Sequence, residues 1–354
     1  MEKKERVVSF DLVRVFSCLC VIIVHFNASI SGMEDGIFLH PNSIIPNFYL
    51  GGRIYLGGIG TSLFFMLSGA TLMMTYREGN LRRFYKKRFL NIYPMFWLAY
   101  VLITVIDYLC YRGMSGGSLG LLFFSFIGLD GHLTCLGLIP PDFYKIGEWF
   151  LGTILLLYLI FPLLHYFLDR KPLLSFLGAL LIYISYMYCA QVFGWQSNGT
   201  EFFMRIPEMM LGMLFVKYDL RRKPKHLLVI AGVFAALTYL LRDILSLLSL
   251  STSFCIPIFV LLVLVGEKIK CSPVKKLLIG FSGLSYPIFL VHHWLIEKIL
   301  VGFPLSCLSR RDIALLFFIY IASVLLISHL LTVWTDKILA SLKALFVPKQ
   351  AETV

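Results

Sequence analysis

The sequence predicts an all-α, polytopic membrane protein with about ten transmembrane helices. Of its 354 residues, 58% are hydrophobic and only 15% are charged, whereas about 25% is usual in soluble domains. The mean hydropathy is +0.82, and apolar runs of about 20 residues, enough to cross a bilayer, recur along the chain. The basic residues that produce a net charge of +12 lie in short loops between these runs. This distribution indicates membrane topology and excludes nucleic-acid binding, which needs a clustered basic face.

The apolar runs define one integral-membrane domain, residues 1–340, and a short cytoplasmic tail, residues 341–354. The first run contains charged residues and lacks a convincing cleavage site, so we interpret it as a retained helix rather than a signal peptide. The predicted spans are 8–30, 54–75, 88–110, 148–168, 172–192, 203–217, 226–243, 251–267, 281–301 and 312–334.

The loop charges predict that both termini are cytoplasmic. With ten spans and a cytoplasmic N-terminus, 23 of the 32 lysines and arginines fall on the cytoplasmic side and 8 on the other. Positive charge accumulates in cytoplasmic loops of membrane proteins. The apolar segment 119–129 is too short for a standard span, and we expect it to be re-entrant or interfacial.

The first span carries three polar residues that are unusual at membrane depth, Asp11, Arg14 and His25. Such residues are costly in lipid and commonly mark a functional site. Eleven residues separate Arg14 from His25, which places both on one helix face, ~16 Å apart. Asp11 is positioned to pair with Arg14. The alternative is structural: an arginine that reaches the membrane surface and a histidine bonded to a neighbouring helix.

Basic residues are concentrated where the third span begins, at Arg82, Arg83, Lys87 and Arg88. Arginine forks match phosphate oxygens in two-point contacts, so this patch could bind a polyanion together with Arg14. Simple anchoring by positive charge is the alternative. In the second span, Ser68 and Gly69 predict a close approach between helices.

Further candidates lie in three later spans. Glu148 and Trp149 begin the fourth span, where they could contact a sugar, or cap a helix and anchor it at the interface. Glu208 lies in an unusually short span and could line a cavity or pair with Arg205. The ninth span carries Ser285, Tyr286, His292 and His293, and adjacent residues on a helix diverge by about 100°. We therefore expect only one of the two histidines to face the same cavity as His25.

In combination, these segments resemble acyltransferase family 3, a family of integral-membrane O-acyltransferases. The resemblance covers most of the chain and rests on four motifs in order. They are Arg14 with His25, the segment Phe64–Gly69, Lys87-Arg88 leading to Pro94, and the segment Ser285–His292. The run Gly147-Glu148-Trp149-Phe150 is similar to the subgroup that modifies capsules and exopolysaccharides. The chain departs from the family at Asn91, which replaces a second arginine, and at Ile154, which replaces a glutamate.

The resemblance implies transfer of an acyl group, most often acetyl, from cytosolic acyl-CoA to a hydroxyl of an extracytoplasmic saccharide. His25, Arg14 and His292 would be catalytic. Glu148, Trp149 and Glu208 would bind the acceptor. Acetyl-CoA would be the donor substrate, with no permanently bound cofactor and no metal, and the lipid bilayer of a bacterial cell membrane would surround the protein. The residues proposed to bind the donor are Asp11, Arg14, Arg82, Arg83, Lys87, Arg88, Ser285 and Tyr286. The rival hypothesis is a transporter or flippase of a lipid-linked saccharide or small molecule, which would predict internal repeats.

Overall fold

The protein is a bundle of α-helices, as its computed structural model describes for residues 6–31, 49–50, 54–76, 80–111, 119–140, 146, 148–193, 199–242, 247–303 and 307–346. The α-helices are α1 (Val8–Ser31), α2 (Leu56–Thr75), α3 (Leu81–Tyr111), α4 (Leu122–Ile127), α5 (Asp130–Cys135), α6 (Glu148–Arg170), α7 (Pro172–Phe193), α8 (Ile206–Lys217), α9 (Pro224–Leu240), α10 (Leu247–Lys268), α11 (Ser272–Gly283), α12 (Ser285–Leu300) and α13 (Arg310–Phe346). Three short 3-10 helices occupy Leu119–Leu121, Phe202–Arg205 and Leu220–Arg222, and two antiparallel two-residue strands, β1 (Tyr49–Leu50) and β2 (Ile54–Tyr55), precede α2.

The all-α, multi-pass architecture predicted from the sequence is confirmed. Within the described ranges, seven helices are long and apolar enough to cross a membrane, and the bent pair α11–α12, with 59° between its two halves, would make an eighth. The other two predicted spans correspond to shorter helices, α8 with 12 residues and α9 with 17. The seven are Val8–Ile30, Leu56–Thr75, Leu81–Cys110, Trp149–Arg170, Pro172–Phe193, Ser251–Lys268 and Arg310–Ala344.

Two helices extend well beyond their predicted spans. Helix α3 begins at Leu81 rather than at residue 88, because the Asn80 side chain accepts a hydrogen bond from the backbone N–H of Arg83 (2.9 Å) and so caps the helix. Helix α13 continues to Phe346 instead of ending at residue 334. Its last turns therefore include part of the predicted tail, and residues 347–354 lie outside the described residues.

The apolar segment 119–129 forms a 3-10 turn and helix α4, neither long enough to span a bilayer, in agreement with the sequence. Side chains of α3 hold it in place. Tyr93 donates a hydrogen bond to the carbonyl of Ile127 (3.0 Å), and Trp97 donates one to that of Phe126 (2.9 Å). The segment therefore lies against the middle of α3, on both sides of Pro94.

Helix α1 occupies the centre of the bundle and contacts α2, α10, α11 and α12. Its side chains contribute to both hydrophobic cores. Phe26 packs in the first with Phe65 and Phe161, and Phe10 packs in the second with Phe259. A helix buried on several sides can carry polar residues only where protein groups or a cavity solvate them.

Helices α2 and α8 cross in backbone contact at two glycines. A Cβ atom on Gly69 would lie 2.8 Å from the carbonyl carbon of Met209, and one on Gly212 would lie 2.7 Å from that of Met66. Only glycine allows this approach, because ordinary contacts between carbon atoms need about 3.5–4.0 Å. The close helix approach predicted for Ser68 and Gly69 is therefore confirmed, with Gly212 as its partner.

Candidate active site

A cavity of about 300 Å³ lies beside the middle of α1. Most of its wall is apolar, formed by side chains such as Ile22, Phe64 and Phe289. Its polar wall includes His25, Ser285, His292, Thr200 and Arg205, and Trp149 also lines it. A mostly apolar cavity with a few convergent polar groups is the usual form of a small-molecule site.

The imidazole rings of α1 and α12 meet in this cavity. The ring centroid of His25 lies 5.1 Å from that of His292 and also 5.1 Å from that of His293. Only His292 of the α12 pair lines the cavity, as the 100° divergence predicted. The helical spacing did not predict that His293 would also contact the His25 ring.

The backbone of α12 sets the tautomer of His292. Its Nδ1 lies 2.8 Å from the carbonyl oxygen of Phe289 and 3.2 Å from that of Ile288. Because a carbonyl oxygen can only accept, Nδ1 must carry the proton, and Nε2 of the neutral ring keeps its lone pair. His292 is 1% exposed, so this orientation is fixed by packing. The ring is thus prepared to accept a proton at Nε2.

A cluster of charged and hydroxyl groups lies near the start of α1. Arg14 Nη1 donates to Ser282 Oγ (2.8 Å), and Ser282 Oγ donates to Asp11 Oδ1 (2.6 Å). Arg6 forms a two-point ion pair with Asp11, with both N–O distances 2.8 Å. Arg14 itself lies 3.5 Å from Asp11 Oδ1. One carboxylate thus faces two guanidinium groups, so the cluster keeps a net positive charge.

The Arg14 cluster lies one turn of α1 away from the cavity, and the bend between α11 and α12 brings Ser282 of the cluster next to Ser285 of the cavity wall. Cys18, which lines the cavity, follows Arg14 by four residues, and Ser285, which also lines it, follows Ser282 by three. Helix α1 is uninterrupted from Val8 to Ser31, so Arg14 and His25 lie ~16 Å apart along it. An anion held at Arg14 would therefore lie next to the cavity, and the histidines would lie further along the same face.

The predicted basic patch of α3 is divided between two sites. Arg88 turns toward the protein, with its guanidinium carbon 5.9 Å from the ring centre of Phe84 and 5.7 Å from that of Tyr158. Tyr158 also lies near Arg14, so Arg88 and Arg14 share a neighbour. Arg83 and Lys87 instead line a separate groove against α13, and Arg82 is exposed. Of the four predicted basic residues, the structure associates only Arg88 with the Arg14 cluster.

At the other end of the cavity, Arg205 takes the place expected for Glu208. Arg205 is 3% exposed, lines the cavity, and has its guanidinium carbon 5.5 Å from the ring centre of Trp149. Glu208 does not line the cavity. Its Oε1 accepts hydrogen bonds from Arg205 (2.9 Å), Ser62 (2.6 Å) and Thr252 (2.7 Å). Of the two alternatives for Glu208, the structure therefore supports pairing with Arg205 over lining the cavity. A direct contact between Glu208 and the substrate stays a prediction.

The four other predicted site residues of α6 and α12 differ in their surroundings. Ser285 lines the cavity, and its hydroxyl donates to the carbonyl of Ser282 (2.9 Å). Tyr286 points away from the cavity and donates to the carbonyl of Ile92 in α3 (3.0 Å), so it connects α12 to α3. Trp149 lines the cavity as expected. Glu148 begins α6, and its side chain lies outside the described residues.

A short segment before α8 contributes a cavity residue that the sequence did not single out. Thr200 is 6% exposed, and its carbonyl accepts a hydrogen bond from Thr153 (2.8 Å). Thr153 in turn lies 3.0 Å from Nδ1 of His132, a residue of α5 whose pKa is lowered by burial. The carbonyl of Gly199 accepts a hydrogen bond from Arg205 Nε (2.7 Å). The segment is thus fixed from two sides, which holds the Thr200 side chain at the cavity wall.

Four further residues belong to the site although no role in it was predicted for them: Arg6, Tyr158, Arg205 and Ser282. A charged residue within an apolar segment is a functional candidate by default, and this signal could have identified Arg205. Arg6 precedes the first turn of α1, so helical periodicity does not relate it to Asp11. No pattern in the sequence distinguishes Ser282 or Tyr158 from ordinary residues of membrane helices.

The bundle and its cavity define a multi-pass membrane protein whose central helix carries an arginine cluster and a histidine that contacts a second histidine on α12. A sequence model described as an acyltransferase domain matches residues 7–333. The chain therefore belongs to acyltransferase family 3 and is a membrane acyltransferase, which confirms the family resemblance seen in the sequence. Comparison with curated proteins and with solved structures gave no match.

Proposed function

We propose that this acyltransferase moves an acetyl group from cytosolic acetyl-CoA to a hydroxyl group of an extracytoplasmic saccharide. It would act as a multi-pass protein of a bacterial cell membrane, with acetyl-CoA as a substrate rather than a resident cofactor. The observation that carries the proposal is the alignment on α1 of a cationic cluster, a cavity that begins one turn later, and His25, which lies ~16 Å from Arg14 and contacts His292 of α12.

The cationic cluster suits the phosphate groups of the donor. Arg14 and Arg88 would bind phosphate oxygens, which guanidinium groups match in charge and geometry. Asp11 and Ser282 hold Arg14 in position without cancelling the charge that Arg6 and Arg14 supply together. With the phosphates at Arg14, the extended pantetheine arm could follow α1 and bring the thioester to the histidines.

The histidines supply the proton transfer that acyl transfer requires. In direct transfer, Nε2 of His292 or a nitrogen of His25 accepts the hydroxyl proton while the acceptor oxygen attacks the thioester carbonyl. The C–O bond forms, the C–S bond breaks, and CoA leaves as a thiol with the proton that the imidazole held. In a relay, a nitrogen of His25 attacks the thioester carbonyl, the C–S bond breaks, and CoA leaves as a thiol with the proton that the imidazole gives up. The hydroxyl then attacks the acetyl group, the N–C bond breaks, and the imidazole takes the hydroxyl proton. Detection of an acetyl-histidine after rapid quenching would distinguish the relay from direct transfer.

The opposite end of the cavity would receive the acceptor. Trp149 offers an aromatic face, Thr200 a hydroxyl, and Arg205 a cation held by Glu208. Sugars are bound by aromatic faces together with hydrogen-bonding groups, which this combination provides. Glu148 starts the same helix as Trp149, and it remains a proposed acceptor-binding residue.

The proposal can be tested with purified protein in lipid nanodiscs, by binding and turnover of radiolabelled acetyl-CoA. Arg14→Ala should lose donor binding. His25→Ala should bind the donor normally but lose turnover by about 10²–10⁴-fold, the usual contribution of general acid–base catalysis. Matched controls are Arg311→Ala and His329→Ala, because both residues lie on the exposed surface of α13. Both controls should behave like the wild type.

Two outcomes would contradict the proposal. Normal acetyl transfer by folded His25→Ala would exclude the proposed role of that histidine. If no variant, nor the wild type, bound acetyl-CoA while all were folded, acetyl-CoA would not be the donor. Transport of a saccharide would then be measured instead.

A further inference from the structure

A second groove, of about 390 Å³, lies between the first turns of α3 and the last turns of α13. Arg83, Lys86 and Lys87 contribute to it from α3, and Lys343 from α13. The remaining lining residues are Leu90, Asn91 and Leu339. Among the described residues, four cationic side chains and no carboxylate line the groove, so a strong positive potential is expected there.

The spacing of these residues explains why they converge. Arg83, Lys87 and Asn91 follow one another at intervals of four residues, and Leu339 and Lys343 do the same on α13, so each set lies on one helix face. Arg88 lies about 100° further round α3 and faces Tyr158. The groove is therefore separate from the Arg14 cluster, although the same helix contributes to both.

The groove opens onto the surface of the bundle that lipid would contact. Leu90, within the groove, is 43% exposed, and nearby apolar side chains are similarly exposed: Phe89 by 45%, Ile338 by 45% and Leu342 by 44%. Exposed apolar side chains on a membrane-spanning bundle face acyl chains. A ligand in this groove would thus have its charged part among the lysines and an apolar part against α3 and α13.

We propose that this groove binds the phosphate-containing headgroup of an anionic phospholipid. Basic pockets between transmembrane helices and basic clusters next to their ends are recognised sites for such headgroups. A soluble phosphate compound would use the same cations but would gain nothing from the exposed apolar faces of α3 and α13. The chemistry of the groove therefore favours a lipid.

A bound lipid would connect α3 and α13 at this end of the bundle. Helix α3 also carries Arg88, and its Ile92 carbonyl accepts the hydrogen bond from Tyr286 of α12. A lipid that holds α3 against α13 would therefore stabilise the folded bundle, and the stabilisation would grow with lipid concentration as for any ligand of the native state.

The experiment compares the full-length protein in nanodiscs of phosphatidylcholine alone with nanodiscs that contain increasing fractions of phosphatidylglycerol. The readouts are the melting temperature and the number of phosphatidylglycerol molecules retained in native mass spectrometry. The groove variant is Lys86→Gln/Lys343→Gln. The matched control is Lys270→Gln/Lys276→Gln, which removes the same charge from exposed positions outside the groove.

Phosphatidylglycerol should raise the melting temperature of the wild type and of the control. The groove variant should need about 30-fold more phosphatidylglycerol for the same shift, because each basic residue near anionic lipid contributes about fivefold in affinity. An equal response of the groove variant and the wild type would overturn the proposal. An equal loss in the control would also overturn it, because the effect would then come from overall charge.

A donor-binding measurement separates the lipid from a phosphate of acetyl-CoA. In phosphatidylcholine nanodiscs, the groove variant should bind acetyl-CoA and 3′-dephospho-acetyl-CoA with the same affinities as the wild type. If the variant instead lost affinity for acetyl-CoA and kept its full lipid response, the groove would be a donor-phosphate site and the lipid proposal would be wrong. Because no arm measures turnover, failure of the lipid proposal and failure of the proposed function are distinguishable.

Discussion

Replacing Gly212 with alanine should separate α8 from α2 and damage both stability and turnover. The new Cβ would lie 2.7 Å from the Met66 carbonyl carbon and 2.9 Å from the Ala70 nitrogen. Both are backbone atoms and cannot rotate away. Since ordinary carbon contacts need about 3.5–4.0 Å, the helices must move apart by about 1 Å.

The magnitude follows from two opposing effects. Overpacking of this kind costs about 3 kcal/mol at the upper end of its usual range, and the better helix propensity of alanine returns about 1 kcal/mol. We expect a net destabilisation of about 2 kcal/mol. Arg205 directly precedes α8 and lines the cavity, so a displacement of about 1 Å there could reduce turnover by about 10²-fold.

The assay is thermal unfolding in nanodiscs, followed by acetyl transfer at a temperature where the variant is folded. Gly232→Ala is the matched control, because Gly232 lies within α9 and its Cβ would have no atom within 4 Å. The control should melt at or slightly above the wild-type temperature. If Gly212→Ala melted with the control and kept full turnover, the reasoning from backbone contact would be refuted.

Two further predictions concern the polar networks of the site. Glu208→Ala should destabilise the protein by about 3–5 kcal/mol, because it leaves the buried Arg205 charge without its carboxylate. The melting temperature should therefore fall, and the double variant Arg205→Ala/Glu208→Ala should recover part of the lost stability. An unchanged melting temperature for the single variant would show that the ion pair is dispensable. Ser282→Ala should raise KM for acetyl-CoA by about 5–10-fold with little change in kcat, because it removes one hydrogen bond each from Arg14 and Asp11. A fall in kcat at unchanged KM would instead place Ser282 in the chemical step.

Much of the central site follows from the sequence because it lies on one regular helix. The separation of Arg14 and His25 fixes their shared face once α1 is known to be continuous. The same periodicity predicted that only one of the two adjacent histidines of α12 would line the cavity, and the structure shows that this residue is His292. Predictions from helical periodicity succeed because the geometry of a helix depends on few interactions outside the helix.

The distribution of the basic residues on α3 needed the tertiary structure. Arg83, Lys87 and Arg88 form one patch in the sequence, yet helical rotation and the positions of α6 and α13 send Arg88 to Tyr158 and the other two to a separate groove. Periodicity places these residues on different faces, but it does not say which neighbouring helix each face meets.

By itself, the sequence determined that this protein is a helical membrane protein with a polar stripe on its first helix, because apolar run length and helical period are local properties. The acyltransferase activity was implied by the resemblance of its motifs to acyltransferase family 3, which the family model confirms. Only the tertiary structure decided that Arg6 shares Asp11 with Arg14, and that Arg205 rather than Glu208 lines the cavity. The first outcome depends on the chain before the first turn of α1, which helical periodicity does not describe. The second depends on contacts between residues far apart in the chain, such as Glu208 with Ser62 and Thr252. Arg205 and Glu208 would form the same i, i+3 pair whichever of them faced the cavity. The surrounding helices therefore decide which of the two side chains lines it.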